Sequence, residues 1–119
     1  MPLITVHGLG VREFYNERIL AIENTIVWAI ESVKELSLKR SDISFSFIKD
    51  QTITSDTVDV IIVVDLLFDK PERNFEVRRC LAEKIAFDFK ELPGNDNRKI
   101  EVFIKRFDPN KDGFACILP

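Results

Sequence analysis

Residues 58–68 read VDVIIVVDLLF, a nearly unbroken apolar run that is rich in β-branched residues. Such a run is typical of a strand whose two faces are both covered, and β-branched side chains pack well on a pleated surface. The stretch therefore predicts a strand in the middle of a sheet, and the rest of the chain can be arranged around it.

The segment after this strand has the pattern of a helix followed by another strand. The residues that follow it, DKPERN, interrupt the apolar run; Pro71 suits a loop or a first helical turn, and Asn74 could cap a helix. Apolar residues then recur at helical spacing, at Val77, Leu81, Ile85, Phe89 and Leu92. LPGNDN at 92–97 is typical of a helix end, KIEVFIKRF at 99–107 predicts the last strand, and 108–119 form a tail.

The segment before the central strand begins in a similar way. PLITVHGL at 2–9 predicts a first strand that ends at Gly8 and Gly10. A long helix follows, because apolar residues recur every three or four positions, at Tyr15, Ile19, Ile22, Ile26, Ile30 and Val33. Leu20 and Trp28 lie off this stripe and indicate a second contact surface.

A further strand is predicted between this helix and the central strand. In SDISFSFIKD, residues 41–50, the apolar Ile43, Phe45 and Phe47 alternate with serines, which is typical of a half-buried strand. The polar stretch QTITSDT at 51–57 then predicts a loop or a hairpin.

The predicted order is strand, helix, strand, repeated twice within a single domain of residues 1–119. Two similar halves, 1–52 and 57–114, form a pseudo-repeat. Each βαβ unit is expected to place its two strands parallel with a right-handed crossover. The predicted fold class is therefore α+β, a four-stranded mixed sheet with two helices on one face. The opposite face needs a cover, and association of several copies of the chain would supply it.

The composition excludes several classes of function. The chain of 119 residues has a net charge of −3, which leaves no basic surplus to bind nucleic acid or an anionic membrane. No apolar run approaches the roughly 20 residues of a membrane span, and no secretory signal is recognised, so we expect a cytoplasmic protein. His7 has no metal-ligand partner at a suitable spacing, and Cys80 and Cys116 are expected to be reduced thiols. No metal or other cofactor is predicted.

The first residues and the order of elements resemble those of the tautomerase superfamily, which includes oxalocrotonate tautomerase, carboxymethyl-hydroxymuconate isomerase and macrophage migration inhibitory factor. The opening PLITVHGLGVRE is similar to that of oxalocrotonate tautomerase in its proline, Pro2, and in the spacing to Arg12. FIKDQ and VFIKRFDPN resemble strand ends of the migration inhibitory factor branch. The resemblance covers essentially the whole chain, and its overall pattern looks closest to an uncharacterised tautomerase-like family.

This resemblance implies a homotrimer in which three sheets form a central barrel with the helices outside. It also implies that Met1 is removed and that the nitrogen of Pro2, then a secondary amine, is the catalytic base. The implied reaction moves a proton alpha to the carbonyl of a small enol or 2-oxo carboxylic acid, a small-molecule carboxylate substrate. An apolar pocket and neighbouring cations both disfavour the ammonium form, which keeps the amine basic near neutral pH.

The resemblance also implies substrate-binding residues. Arg12 aligns with a substrate-binding arginine of oxalocrotonate tautomerase, although it could equally be a surface residue paired with Glu13 or Glu17. Arg73 holds the comparable place before the second helix, where the alternative is a solvated loop charge. The aromatic residues Phe103 and Phe114 are expected either to wall an apolar pocket or to pack in the core.

One departure from the family and two alternatives remain open. Ser44 stands where oxalocrotonate tautomerase has a second-strand arginine, which favours a non-catalytic trimeric scaffold of the same fold. A ferredoxin-like ligand-binding module has the same linear order of elements, and Pro2 would then be incidental. Isomerisation is also not separated from hydration or dehalogenation, because all three begin with the same amine and carboxylate clamp.

Overall fold

The computed structural model describes residues 2–49 and 59–119. The elements are β1 Leu3–Leu9, α1 Asn16–Ser32, β2 Ser44–Lys49, β3 Val60–Phe68, α2 Phe75–Lys90 and β4 Ile100–Phe107. Three short 3-10 turns lie at Val11–Glu13, Lys34–Leu36 and Arg40–Asp42. The predicted loop at 51–57 and the boundary between the two predicted halves lie outside the described residues.

The four strands form one mixed sheet with the order β2-β1-β3-β4. β1 pairs parallel with β2, β3 pairs parallel with β4, and the two central strands, β1 and β3, are antiparallel. This confirms the predicted pair of βαβ units and the central place of the strand that ends at Phe68. The ferredoxin-like alternative is wrong, because that fold is a split βαβ arrangement, whereas here the two strands of each unit are direct neighbours.

Both helices pack on one face of this sheet and share a single hydrophobic core with it. Each fully buried large apolar side chain contributes roughly 1.5–3 kcal/mol of transfer free energy. The core side chains with no more than 1% exposure include Ile4, Val6, Ile22, Ile26, Ile30, Val60, Ile62, Val64, Leu81, Ile85 and Phe89. Both predicted helical stripes are thus confirmed apart from their end members: Val33 is the C-cap of α1, and Leu92 lies beyond α2. Tyr15 is 53% exposed, because the helix begins one residue later and Tyr15 is its N-cap.

The start of α2 follows the sequence prediction closely. Asn74 is the N-cap, and its side-chain oxygen accepts a hydrogen bond of 3.0 Å from the backbone N–H of Val77. An N-cap side chain of this kind satisfies one of the backbone donors that a helix leaves unpaired in its first turn.

β1 runs from Leu3 to Leu9, within the predicted stretch 2–9, and it passes through Gly8. Gly8 has φ +92°, and the pairing with β2 shifts register between Val6 and Leu9. A Cβ atom at Gly8 would lie 2.2 Å from the carbonyl oxygen of Asp59. Glycine is therefore required here both by the positive φ and by the close approach of Asp59, the residue just before β3 in the same chain.

β3 carries a similar irregularity near its own end. The pairing with β4 shifts register between Val64 and Leu67, and the intervening Leu66 has φ +58°. The backbone N–H of Leu66 donates a 2.8 Å hydrogen bond to the carboxylate of Asp65. A left-handed conformation at a leucine costs on the order of 1–3 kcal/mol, so the surrounding structure must hold it in place.

The sheet face away from the helices carries apolar side chains that no helix covers. Ile61 and Val63 alternate with the buried residues of β3 and are half-buried. Phe103 lies opposite Val63 on β4 and is 48% exposed, so the expectation that it packs in the core is wrong. Within the described chain this face has no partner layer, which is the situation that led us to expect association between copies.

Candidate active site

Pro2 is buried at the point where the chain enters the sheet. It directly precedes β1, and its carbonyl oxygen accepts a 3.1 Å hydrogen bond from the backbone N–H of Ser44. Since a proline has no N–H to donate, this first position loses no hydrogen bond of the sheet. The backbone therefore fixes the ring of Pro2 while leaving its nitrogen out of the hydrogen-bond ladder.

The topology brings the ends of two other strands to the same edge of the sheet. Leu3, the next residue, lies opposite Asp65 in the antiparallel pair of β1 and β3, so the start of β1 lies beside the end of β3. β3 and β4 are parallel, and their last residues, Phe68 and Phe107, are paired in register. Two phenylalanines thus reach the edge at which Pro2 lies.

A cavity of about 650 Å³ opens at this edge. Its volume falls within the roughly 300–1,000 Å³ of small-molecule sites. The described residues that line it are Pro2, Leu3, Ser44, Leu66, Phe68, Phe107, Phe114, Ala115, Cys116 and Ile117. Among these, Ser44 and Cys116 bring the only polar side chains, and none of the ten is an aspartate, glutamate, histidine, lysine or arginine. The cavity is therefore an apolar chamber with Pro2 in its wall.

Three of the lining residues form an aromatic cluster. The rings of Phe68 and Phe107 have centroids 5.6 Å apart, and Phe114 packs on Phe68 edge to face at 5.0 Å and 82°. Phe114 also meets Phe107 at 6.3 Å and 69°. Edge-to-face pairs are the favoured geometry of aromatic rings. The tail residue Phe114 therefore lies in the cavity wall, whereas Phe103 is not among the described lining residues.

Arg73 lies behind this cavity rather than in it. Its Nη1 donates to the carbonyl oxygen of Phe68 at 2.9 Å, and its Nη2 donates to the carbonyl oxygen of Leu36 at 2.8 Å. Only 6% of the residue is exposed, so the alternative of a solvated loop charge is wrong. Burial lowers the pKa of the Arg73 guanidinium, and the charge of Glu72 only partly opposes this. The buried Nε of Arg73 has no hydrogen-bond partner within the part of the chain that the structure describes.

Arg12 lies at the other end of β1, in the exposed turn Val11–Glu13. The strand of 7 residues between it and Pro2 spans about 23 Å at the usual rise per residue. Arg12 therefore cannot reach the Pro2 cavity of its own chain. Among the described residues Arg12 forms no ion pair with Glu13 or Glu17, the two partners of the alternative, and the carboxylate of Glu13 binds Arg18 and Arg98 instead.

Glu13 belongs to a polar cluster that connects three segments of the fold. Its carboxylate accepts hydrogen bonds from Arg98, one of which joins Nη1 to Oε2 at 2.8 Å. It also accepts from Arg18 at 3.3 Å and from the backbone N–H of Gly10 at 3.0 Å. Asn95, fully buried, accepts from both arginines at 3.2 and 3.3 Å. Arg18 is 9% exposed and Arg98 4%.

The electrostatics of this cluster favour the charged carboxylate. Burial acts to raise the pKa of Glu13, but the hydrogen bonds from Arg98 and Gly10 and the charges of Arg98 and Arg18 outweigh it, so the pKa lies below its ordinary value. A second cavity, of about 430 Å³, lies beside the cluster and is lined partly by Arg12. It lies at the end of β1 opposite to Pro2, so the two cavities are separate.

Several residues of the candidate site and of the buried polar cluster were not found from the sequence. Phe68 and Phe107 were assigned only to strand ends, yet both line the Pro2 cavity. The sequence contained a signal for their proximity, because two parallel neighbouring strands that both end in phenylalanine place the two rings at the same edge of the sheet. The cluster of Glu13, Arg18 and Arg98 had no comparable signal, since its members are up to 85 residues apart in sequence.

The described residues offer no sign of a metal site or a membrane segment. No group of three or more metal-ligating side chains occurs within residues 2–49 and 59–119. The lone histidine, His7, lies opposite Ile61 on the sheet face away from the helices. No helix in the described ranges is both long enough and apolar enough to cross a bilayer.

Comparison with known proteins identifies the fold. Neither a protein-family model nor a curated protein matches this sequence significantly. Among solved structures, a fused 4-OT described as a symmetric trimer matches 98% of this chain and 94% of its own at a TM-score of 0.68 and 14% identity. A macrophage migration inhibitory factor-like protein from Entamoeba histolytica matches 96% of this chain and 93% of its own at a TM-score of 0.57 and 11% identity.

A third neighbour broadens the chemistry found on this fold. A member of the cis-3-chloroacrylic acid dehalogenase family matches 99% of this chain and 82% of its own at a TM-score of 0.63 and 14% identity. This chain therefore has the fold of the tautomerase superfamily, as the resemblance of its opening residues suggested. At these identities the likeness establishes the fold and not an activity.

Proposed function

We propose that this protein is a tautomerase that uses the N-terminal nitrogen of Pro2 as a general base on small enol or 2-oxo carboxylic acids. The observation that supports this most directly is the position of Pro2 in the wall of a large apolar cavity. When Met1 is removed, this nitrogen is a secondary amine in apolar surroundings, which disfavour its ammonium form. A base with a pKa near the working pH is the one that transfers protons most effectively.

The proposed reaction is a balanced proton transfer. The Pro2 nitrogen takes a proton from C3 of a 2-oxo acid, and the C–H electron pair forms the double bond between C2 and C3. Negative charge moves to the carbonyl oxygen, and the prolinium then gives the proton to that oxygen. The reverse direction returns a proton from the enol hydroxyl to C3, so the enzyme is unchanged at the end of each turnover.

Tautomerisation is favoured over hydration by the groups that the cavity offers. Hydration needs a second acid–base residue to activate water, in addition to the amine. The described lining residues include no carboxylate and no histidine. A single base moving one proton is the simplest chemistry that this set of residues supports, so we propose isomerisation.

A cation is still needed to hold the substrate carboxylate, and two arginines are candidates. We propose that Arg12 of a neighbouring subunit supplies it, because Arg12 is exposed and too far along β1 to serve its own chain. Arg73 is the alternative on the same chain, since it already contacts the backbone of the cavity residue Phe68. A planar guanidinium matches a carboxylate with two parallel hydrogen bonds.

The arrangement with Arg12 requires an oligomer, and we propose a homotrimer. The fused 4-OT with the same fold is a symmetric trimer, and the uncovered apolar sheet face of this chain is available for such contacts. Phe103 on that face is then proposed to approach a neighbouring subunit, where it could wall a cavity shared between chains.

The test is enzymatic and begins with the mature N-terminus. Mass spectrometry is expected to show a chain that begins at Pro2, and native mass measurement is expected to show a trimer. NMR in D2O should show enzyme-dependent loss of the C3 protons of phenylpyruvate. Pro2→Ala is expected to lower this rate by about 100-fold or more, the usual contribution of a general base. Pro93→Ala, a matched change in an exposed loop, should keep full activity.

A form that carries an uncleaved N-terminal extension provides the second control. Its Pro2 nitrogen is an amide and cannot accept a proton, so it should fold and assemble but not catalyse. Equal exchange rates with and without the extension would remove Pro2 from the mechanism.

A non-catalytic trimeric scaffold of the same fold is the second candidate. It is favoured by one observation: Ser44 lines the cavity at the position where an arginine would be expected, and no described lining residue is cationic. A trimer that binds carboxylates but shows no exchange with any 2-oxo acid would support this alternative.

A further inference from the structure

The turn that carries Arg12 is tied to a distant part of the chain. Arg12 lies in the turn Val11–Glu13, and the carboxylate of Glu13 binds Arg98, which is 85 residues away in sequence. We propose that Glu13 is a positioning residue: held by Arg98, it keeps Arg12 fixed and available for the carboxylate of a substrate bound by a neighbouring subunit. The inference rests on the function proposed above, in which Arg12 serves the cavity of a neighbour.

Hydrogen bonds close the backbone of this turn on both sides of Arg12. The backbone N–H of Gly10 donates to Oε1 of Glu13 at 3.0 Å, and the N–H of Glu13 donates to the carbonyl oxygen of Gly10 at 2.9 Å. The N–H of Phe14 donates to the carbonyl oxygen of Val11 at 3.3 Å. The backbone position of Arg12 is therefore set by its neighbours in the turn, while its side chain extends into solvent.

Glu13 connects the turn to the buried end of α2. Its partner Arg98 also donates from Nη1 to Oδ1 of Asn95 at 3.3 Å. The side-chain amide of Asn95 in turn donates to the carbonyl oxygen of Phe89 at 2.7 Å, in the last turn of α2. Asn95 and Phe89 are both fully buried. A continuous series of hydrogen bonds thus holds the turn against the core of the protein.

The same bonds occupy the acceptor positions of Glu13 that Arg12 could otherwise use. An ionised carboxylate has about four lone-pair positions. Here they meet the backbone N–H of Gly10, Nη1 and Nη2 of Arg98, and Nη2 of Arg18. Within the described part of the chain Arg12 makes no ion pair, although it is the residue next to Glu13. Saturation of the carboxylate by other donors therefore leaves the Arg12 guanidinium available to an external anion.

A fixed and available arginine binds a carboxylate at a smaller entropic cost than one on a loose turn. Loss of the Glu13 bonds should therefore weaken substrate binding. Proton transfer at Pro2 should be little affected, because Glu13 lies at the opposite end of β1 from the proposed base. A rise in KM with an unchanged kcat is the kinetic sign of such a loss.

A double-mutant cycle tests whether Glu13 acts through Arg12. C3 exchange of phenylpyruvate would be measured on the mature trimer, at a temperature at which circular dichroism shows every variant folded. Glu13→Gln should raise KM about fivefold with kcat changed less than about twofold, and Arg12→Ala should raise KM at least about tenfold. The double variant should have the KM of Arg12→Ala alone. A further fivefold rise, about the effect of Glu13→Gln by itself, would overturn the inference.

Two further variants separate positioning from a general loss of structure. Arg18→Met leaves the pair of Glu13 and Arg98 intact, so it should stay folded, but it frees an acceptor on Glu13 that Arg12 can then occupy. Its KM should also rise, and only when Arg12 is present. Glu17→Gln removes an exposed carboxylate in the first turn of α1 and should leave KM unchanged. A wild-type KM in Arg18→Met, or in Glu13→Gln, would contradict the inference.

A binding measurement distinguishes failure of this inference from failure of the proposed function. 3-Phenylpropanoate carries a carboxylate but no carbonyl to enolise, so its NMR titration needs no catalysis. Coupling between Glu13 and Arg12 in its dissociation constant, without any C3 exchange of phenylpyruvate, would refute the tautomerase and support the positioning. Exchange that depends on Pro2, with the two changes additive, would refute the positioning alone. Equal binding by the wild type and Arg12→Ala would also refute it, because Arg12 would then hold no carboxylate.

Discussion

Replacement of Glu13 by glutamine is expected to destabilise this protein strongly, although Glu13 is far from the proposed base. The carboxylate is held by two arginines that are 4% and 9% exposed, and it also accepts a backbone hydrogen bond from Gly10. Glu13→Gln preserves the shape of the side chain but removes its charge. Two nearly buried guanidinium groups would then share one neutral amide oxygen and the side chain of Asn95.

The magnitude follows from the burial of these groups. Breaking a buried ion pair by removing one partner costs roughly 3–5 kcal/mol. We take the lower end, about 3 kcal/mol, because Asn95 still accepts from both arginines. A domain of this length has a total stability of roughly 5–15 kcal/mol. The expected loss corresponds to about 12 °C in Tm, at an unfolding entropy of about 2.1 cal/mol/K per residue.

The pH dependence of this loss gives a sharper test. The pKa of Glu13 in the folded protein lies below its ordinary value of 4.5. The charged carboxylate therefore contributes its full stability above pH 4.5 or so, and this contribution is lost as the pH falls through the lower folded-state value. The wild type and Glu13→Gln should differ by a constant free energy at neutral pH and converge in acid.

The assay is urea unfolding followed by circular dichroism at several pH values and at one fixed protein concentration. With a slope of about 2 kcal/mol/M, the midpoint of Glu13→Gln should fall by about 1.5 M at neutral pH. Glu17→Gln, an exposed glutamate in the first turn of α1, is the matched control and should change stability by less than about 0.5 kcal/mol. A midpoint of Glu13→Gln equal to that of the control would refute the reasoning.

Three further changes test other parts of the fold by the same unfolding assay. Gly8→Ala should lower the free energy of unfolding by about 2–4 kcal/mol, because its Cβ would meet the Asp59 carbonyl and its φ is positive. The control Gly113→Ala, whose Cβ would have nothing within 4 Å, should leave the stability nearly unchanged. Equal effects of the two changes would contradict the steric account. Arg73→Met should lower the free energy of unfolding by about 2–3 kcal/mol, since two backbone carbonyl oxygens lose their donor. Arg73→Lys should recover part of this stability. A Met variant as stable as the wild type would be inconsistent with the two hydrogen bonds. Asn74→Ala should cost about 1 kcal/mol through the lost N-cap of α2, and a fully stable variant would argue that the cap is dispensable.

The architecture of this protein was largely determined by its local sequence patterns. The apolar run that ends at Phe68 marked the central strand, the spacing from Val77 to Phe89 marked α2, and Asn74 marked its start. These predictions succeeded because period, capping and burial act over a few neighbouring residues. The sequence also placed the end of β1 near Leu9, but the positive φ of Gly8 and its close approach to Asp59 became visible only in the structure.

The site depended on relations that no local pattern contains. The sequence by itself placed Pro2 at the start of a strand and the aromatic residues in strand ends and in the tail. Only the antiparallel pairing of β1 with β3, and the parallel pairing of β3 with β4, brings Pro2, Phe68, Phe107 and Phe114 around one cavity. The same pairing places Arg12 at the far end of the sheet and buries Arg73 and Arg98. Contacts between residues distant in sequence arise when the packed chain closes, so they were decided by the tertiary structure alone.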